Sequence, residues 1–104
     1  MRNGMRPIHP GEILREEFLG PLGMSANALA NALAVPANRI SSILNETRGV
    51  TADTALRLAR YFGTTPEFWL GLQQAFDLRV AERESGATIR RAVRPAPANK
   101  RSAA

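Results

Sequence analysis

Apolar residues recur along most of the chain at spacings of three and four, the repeat of a helix that buries one face. No stretch sustains strict alternation, so the pattern predicts an all-α chain of five helices and no strand. The first helix is expected from about Pro10 to Leu19, with Ile13, Leu14 and Phe18 as its buried stripe and "GPLG" as its stop. Proline costs little in a first turn, where its missing N–H would have no partner, and Glu12, Glu16 and Glu17 suit the positive early end. Ser25 is a good N-cap for a second helix, in which Ala26, Leu29, Ala30 and Leu33 share one face. Ala34-Val35 makes a tight turn, and Pro36 opens a third helix with Ile40, Ile43 and Leu44 inside.

After the loop "NETRGV", Thr51 caps a fourth helix with Asp53 in its first turn. Ala55, Leu56, Leu58, Ala59 and Phe62 form its expected core face, and Gly63 ends it. Thr65-Pro66-Glu67 opens a fifth, longer helix through a cap, a proline and an acid in order. Phe68, Trp69, Leu72, Phe76 and Val80 line that helix to about Ser85-Gly86. The remainder, "ATIRRAVRPAPANKRSAA", is non-periodic and rich in Pro, Ala and Arg, which predicts disorder over residues 87–104. Residues 1–8 read as a flexible N-terminus, and residues 9–86 as one folded domain.

Composition changes this picture little. The 104 residues suffice for one modest core, and the absence of cysteine excludes disulfides and thiolate zinc sites. No apolar run approaches the roughly 18 residues of a membrane span, and the N-terminus lacks the apolar stretch of a signal peptide. A cytoplasmic protein is therefore expected. The net charge of +5 suggests nucleic acid, but five of the basic residues (Arg90, Arg91, Arg94, Lys100 and Arg101) lie beyond Ala87 with no acid among them. The body is left electrically neutral, so charge alone does not argue for DNA; spacing has to.

With Ile40, Ile43 and Leu44 turned inward, Ala37, Asn38, Ser41 and Ser42 fall on the outer side of the third helix, with Arg39 beside them. A helix about 10–12 Å across fits a major groove about 12 Å wide. There Asn matches adenine, Arg matches guanine, Ser pairs with several base edges, and a small Ala allows close approach to a thymine methyl. Outward polar residues are ordinarily only solvated. What points further is their place on the second of two short helices joined by a tight turn, the arrangement of a helix-turn-helix.

"HPGEILREEFLGPLGMS" and "ALANALAVPANRISSILNETRGVTADTALRLARYFGTTPEFWLGLQQAFDL" together resemble the HigA-type antitoxins, a branch of the helix-turn-helix family that includes the phage repressors. The resemblance covers roughly His9 to Leu78, and "HPGEIL" and "TPEFWLGLQ" are not general features of helix-turn-helix proteins. It implies a repressor-like fold and a homodimer on a palindromic operator. It also implies autorepression of a toxin–antitoxin operon and neutralisation of a HigB-type mRNA endonuclease. Matching positions would give base reading to Ala37, Asn38, Arg39, Ser41 and Ser42, and phosphate contacts to Ser25, Asn27, Asn45, Arg48 and Thr51. Two departures stand out. Pro36 replaces a residue that often caps the helix and touches phosphate. "NETRG" replaces the "NGKRG" of many relatives, which sets Glu46 near the phosphate line unless Arg48 or Arg39 pairs with it.

In "EFWLGLQQAF", Phe68 is expected in the core. Trp69, Leu72, Ala75 and Phe76 are candidates for a dimer seam that Gly71 would let a second helix approach. His9, the lone histidine, reads as a cap or hydrogen-bonding residue, since no second His or Cys completes a metal site. No nucleophile and base pair can be assembled, so neither an enzyme nor a cofactor is expected. The alternatives are a stand-alone transcriptional regulator with no toxin, or a protein-binding module that has lost DNA binding.

Overall fold

A polar side chain closes the first turn of four of the five helices. The computed structural model describes residues 6–97. Helix α1 is one rod made of Pro10–Ile13, a wider-turned stretch Leu14–Leu19, and Gly20–Leu22; α2 is Ala26–Leu33, α3 Ala37–Leu44, α4 Ala52–Phe62 and α5 Pro66–Ala92. His9 Nδ1 accepts the Gly11 N–H at 2.8 Å, and the hydroxyls of Ser25 and Thr65 accept from Ala28 and Phe68 at 3.1 Å each. Thr51 serves α4 in the same way through the Thr54 N–H, as its place before the apolar run predicts. Only α3 lacks a side-chain cap, because Pro36 occupies that place.

The first helix does not stop at Leu19. It passes through Gly20, Pro21 and Leu22 and ends on Gly23, whose φ of 61° is left-handed. Pro21 has no N–H, and its ring would collide with the carbonyl four residues back in an ordinary α-turn. The chain avoids the collision by widening beforehand: the Gly20 N–H reaches the carbonyl of Arg15, five residues back, as in a π-turn.

Leu14, Leu29, Ile40, Ile43, Leu58 and Trp69 are fully buried and form the centre of the core, with Leu19, Leu33 and Val50 around them. Phe18 of α1 ties this centre to α4 and α5, with ring centroids 4.8 Å from Phe62 and 5.0 Å from Trp69. Two expected core residues lie elsewhere. Leu56 is 59% exposed because Ala55, Leu58, Ala59 and Phe62 already complete the inward stripe of α4. Phe68 is 40% exposed, its ring packed edge-on against Trp69, which takes the interior position.

Helix α5 also runs past its expected end at Ser85-Gly86 and continues to Ala92. Residues 87–92 are therefore helical rather than part of a disordered tail, and residues 98–104 lie outside the described residues. The extension has local causes. Arg90 pairs with Glu82 at 2.6 Å, Arg90 and Arg91 suit the negative end of the helix dipole, and the first proline comes only at position 95. From Ala81 to Ala92 every residue but Gly86 is exposed, and the domain measures 53 × 26 × 25 Å. At the other end, residues 1–5 of the expected flexible N-terminus lie outside the described residues, while Arg6 is paired with Glu12 at 2.9 Å. No described helix is long and apolar enough to cross a membrane.

Candidate nucleic-acid interface

Ile40 and Ile43 are wholly enclosed by the core and so fix the rotation of α3 about its axis. That rotation leaves Ala37 and Asn38 exposed on the first turn, with Ser41 and Ser42 half-buried below them. The Ser41 hydroxyl leans back toward the Asn38 carbonyl at 3.5 Å. Arg39 stands apart from the other four. Its Nη1 donates to Asp53 Oδ2 at 2.6 Å, so the guanidinium points at α4 rather than along the outward face.

The turn before α3 is built from the backbone. Ala34 takes a left-handed φ of 59°, and the N–H groups of Ala34 and Val35 return to the carbonyls of Asn31 and Ala30 at 3.2 and 3.0 Å. On the far side, the N–H groups of Asn45, Glu46 and Thr47 close the end of α3 onto Ser41, Ile43 and Ser42 at 2.9 Å each. Glu46 reaches this geometry with a φ of 64°, a conformation that favours glycine. Its carboxylate pairs with neither Arg48 nor Arg39. It faces Arg15 of α1 at 3.8 Å, while Arg15 also donates to the Leu44 carbonyl at 2.8 Å.

The five residues assigned to phosphate, Ser25, Asn27, Asn45, Arg48 and Thr51, are all exposed. Ser25 and Thr51 spend an acceptor on their helix caps and keep a hydroxyl proton to donate. Arg48, Thr51, Arg39, Asp53 and Arg57 line a cleft of about 400 Å³ at the start of α4. Asp53 is its only acid; hydrogen bonds from Arg57 first and Arg39 second hold its carboxyl below the usual carboxylate range.

Two contributors to this region escaped the sequence pattern. Gln73 of α5 accepts the Val50 N–H at 2.7 Å and so pins the loop that carries Arg48. A glutamine between Leu72 and Phe76 gives no sign of such a reach. Arg57 donates to Asp53 at 2.8 Å and to the Leu33 and Ala34 carbonyls at 2.9 and 3.3 Å. Its four-residue spacing from Asp53 was a readable signal.

The seam candidates divide. Trp69 has no exposed surface and donates its indole N–H to Thr64 at 2.8 Å, so it is core and offers nothing to a second chain. Leu72 packs on the core, and Phe76 is half-buried with its ring 4.8 Å from that of His9. Ala75 is exposed. Gly71 and Leu78 lie on the same side of α5, and Leu78 is 64% exposed. Among the described residues no cluster of His, Asp or Glu is placed to hold a metal ion.

Residues 14–69 match the helix-turn-helix family. The chain is 59% identical over 83 residues to Virulence-associated protein I of Dichelobacter nodosus, spanning 80% of this chain and 77% of that protein. An addiction module antidote protein of the HigA family from Coxiella burnetii superposes with a TM-score of 0.85 at 60% identity, covering 88% of this chain and all of that one. Pseudomonas aeruginosa antitoxin HigA, solved with the higBA promoter, superposes with a TM-score of 0.86 at 47% identity, again over 88% of this chain and all of that one.

Proposed function

The chain belongs to the helix-turn-helix family, in its HigA-type antitoxin branch, and from that premise we propose that it represses its own operon and neutralises a HigB-type mRNA endonuclease. A homodimer on a palindromic operator is the form in which it does so. The observation that carries this reading is the pose of α3: Ala37 and Asn38 stand exposed on its first turn because Ile40 and Ile43 are sealed beneath. The Pseudomonas aeruginosa relative solved with promoter DNA supports the same use of the fold. Asn38, Ala37, Ser41 and Ser42 read base edges. Ser25, Asn27, Asn45, Arg48 and Thr51 set the register on the phosphates, with Thr51 at a helix start whose dipole favours anions.

The near-neutral charge of the folded body, in which only Arg90 and Arg91 at the end of α5 lie beyond the balanced residues 1–86, limits the affinity of one subunit and favours a dimer. Two joined subunits compensate through effective concentration, provided their α3 helices lie about 34 Å apart. The surface that supports dimerisation is the stripe of Gly71, Ala75 and Leu78 on α5: small residues for close approach, then an exposed leucine.

The test is a gel-shift titration of the full-length protein against the DNA upstream of its own gene over a range of salt. A specific, salt-sensitive complex is expected. Its absence at micromolar dimer would favour a protein-binding module. Co-expression with the adjacent open reading frame tests the toxin: rescue of growth from a small endonuclease supports the antitoxin, and its absence leaves a stand-alone regulator.

A further inference from the structure

Asp53 Oδ2 accepts two guanidinium groups, Arg39 of α3 at 2.6 Å and Arg57 of its own helix at 2.8 Å. The other end of Arg57 donates to the carbonyls of Leu33 and Ala34, where α2 finishes. A bonded path therefore leaves the last carbonyls of α2, crosses α4 through Arg57 and Asp53, and arrives at the first turn of α3. Its two ends flank the turn that sets one helix against the other. Carbonyls at a helix end have no partner within their helix, and the planar fork of an arginine can serve several acceptors at once. The start of α3 has no side-chain cap, since Pro36 stands at the capping position. In place of a cap, α4 holds the start of α3 by a side-chain ion pair from Asp53 to Arg39.

We propose that Arg39 governs operator choice without touching DNA: the Arg57–Asp53–Arg39 chain fixes the tilt of α3 against α2, and that tilt decides which base edges Asn38 and Ser42 can reach. Arg39 is then a positioning residue rather than a base reader, and Asp53 and Arg57 join it as determinants of specificity. The proposal rests on the DNA-binding function above.

The experiment titrates full-length wild type, Arg39→Met, Asp53→Asn, the double variant and Asp53→Glu against the protein's own operator and a scrambled duplex at several salt concentrations. Arg39→Met and Asp53→Asn should each narrow the operator-to-scrambled affinity ratio about tenfold, as changes beyond the contact surface do. The double variant should narrow it no further, because both changes cut the same chain. Asp53→Glu should retain most of the discrimination. The salt dependence of Arg39→Met should stay that of wild type, since no phosphate contact is lost. In 15N-labelled free protein, the Arg57 Nε–H resonance should move on Asp53→Asn.

Three results would overturn the proposal. One is a salt slope for Arg39→Met flatter by about one unit, the mark of a lost phosphate contact. Another is additive losses in the double variant, and the third is an Arg57 resonance indifferent to Asp53. A wild type with no operator preference would sink the DNA-binding reading and the proposal with it. The resonance measurement, which needs no DNA, would still report whether the chain exists, so the two failures are told apart.

Discussion

The α-carbon of Gly11 in α1 lies against the carbonyl of Ile43 in α3, so closely that a β-carbon there would fall on the oxygen. The helix that presents Asn38 thus rests directly on the backbone of another, and the missing side chain sets how deep it sits. Gly11→Ala should force α1 and α3 apart and destabilise the fold by about 1–3 kcal/mol, the usual cost of overfilling a packed site. Urea unfolding measures it.

His9 makes stability depend on pH. Its Nδ1 must be unprotonated to accept the Gly11 N–H, and burial, opposed by the carboxylates of Glu46 and Asp77, holds its pKa below the ordinary 6.5. A base whose folded pKa is depressed binds fewer protons folded than unfolded, so stability rises with pH across that interval. The contribution should be complete above about pH 6.5 and be lost as pH falls through the lower folded value. His9 is the only histidine, and Glu12 and Asp53 are held below their usual range by their arginine partners, so the effect is separable from carboxylate titration. Thermal melts from about pH 7.5 to 5 should show a falling Tm in wild type. His9→Asn keeps an acceptor for the cap and should have a flatter profile; an equal slope in both would refute the assignment.

Much of this was legible beforehand because helical periodicity and capping are local. Ser25, Thr51 and Thr65 mark the starts of α2, α4 and α5, and the Ile40–Ile43 spacing alone says which way Asn38 faces. The misreadings share a cause in events at longer range. "GPLG" reads as a stop unless a π-turn upstream makes room for Pro21. Glu46 finds Arg15 across 31 positions of chain, which no inspection of "NETRG" could supply. Trp69 fits a seam and a core equally well until Phe18 and Phe62 close over it. The spacing on α3 likewise gives no sign that Arg39 reaches Asp53, fourteen residues on.

Glu46 stands where glycine fits better. Replacing it by glycine should relieve a left-handed backbone that costs an ordinary residue about 1–2 kcal/mol, offset by the greater freedom of glycine when unfolded. A net gain of about 0.5–1 kcal/mol in urea unfolding is expected, the exposed pair with Arg15 contributing little. Operator affinity should also rise, because a negative charge leaves the phosphate line. Glu46→Gln separates the two effects: it should raise affinity at the same salt without gaining stability.

Asn38 and Arg48 should fail in different ways. Loss of a bidentate base contact in Asn38→Ala should cost about 1–3 kcal/mol on the operator and relax preference at a single base pair. Arg48→Ala, on the loop that Gln73 secures, should weaken operator and scrambled DNA alike and flatten the salt slope by about one unit. Competition binding with single-base operator variants distinguishes the two. If Asn38→Ala left every preference intact, the outward face of α3 would not be the reading surface.

The α5 stripe makes the last prediction, and the buried Trp69 beside it supplies the control. Leu78→Glu places a charge on a side chain that is 64% exposed and has no part in the core, so the monomer should fold with an unchanged helical spectrum. In a seam packed around Gly71, Ala75 and Leu78, two such carboxylates would meet across the symmetry axis without partners, and sedimentation should show a monomer. Operator affinity should then fall by about a hundredfold or more, the effective-concentration advantage of two linked half-site readers. Trp69→Ala should instead unfold the protein, at about 3–5 kcal/mol for a large buried ring, and reduce binding only through that loss. A Leu78→Glu protein that stayed dimeric and bound its operator normally would move the dimer contact off this face of α5.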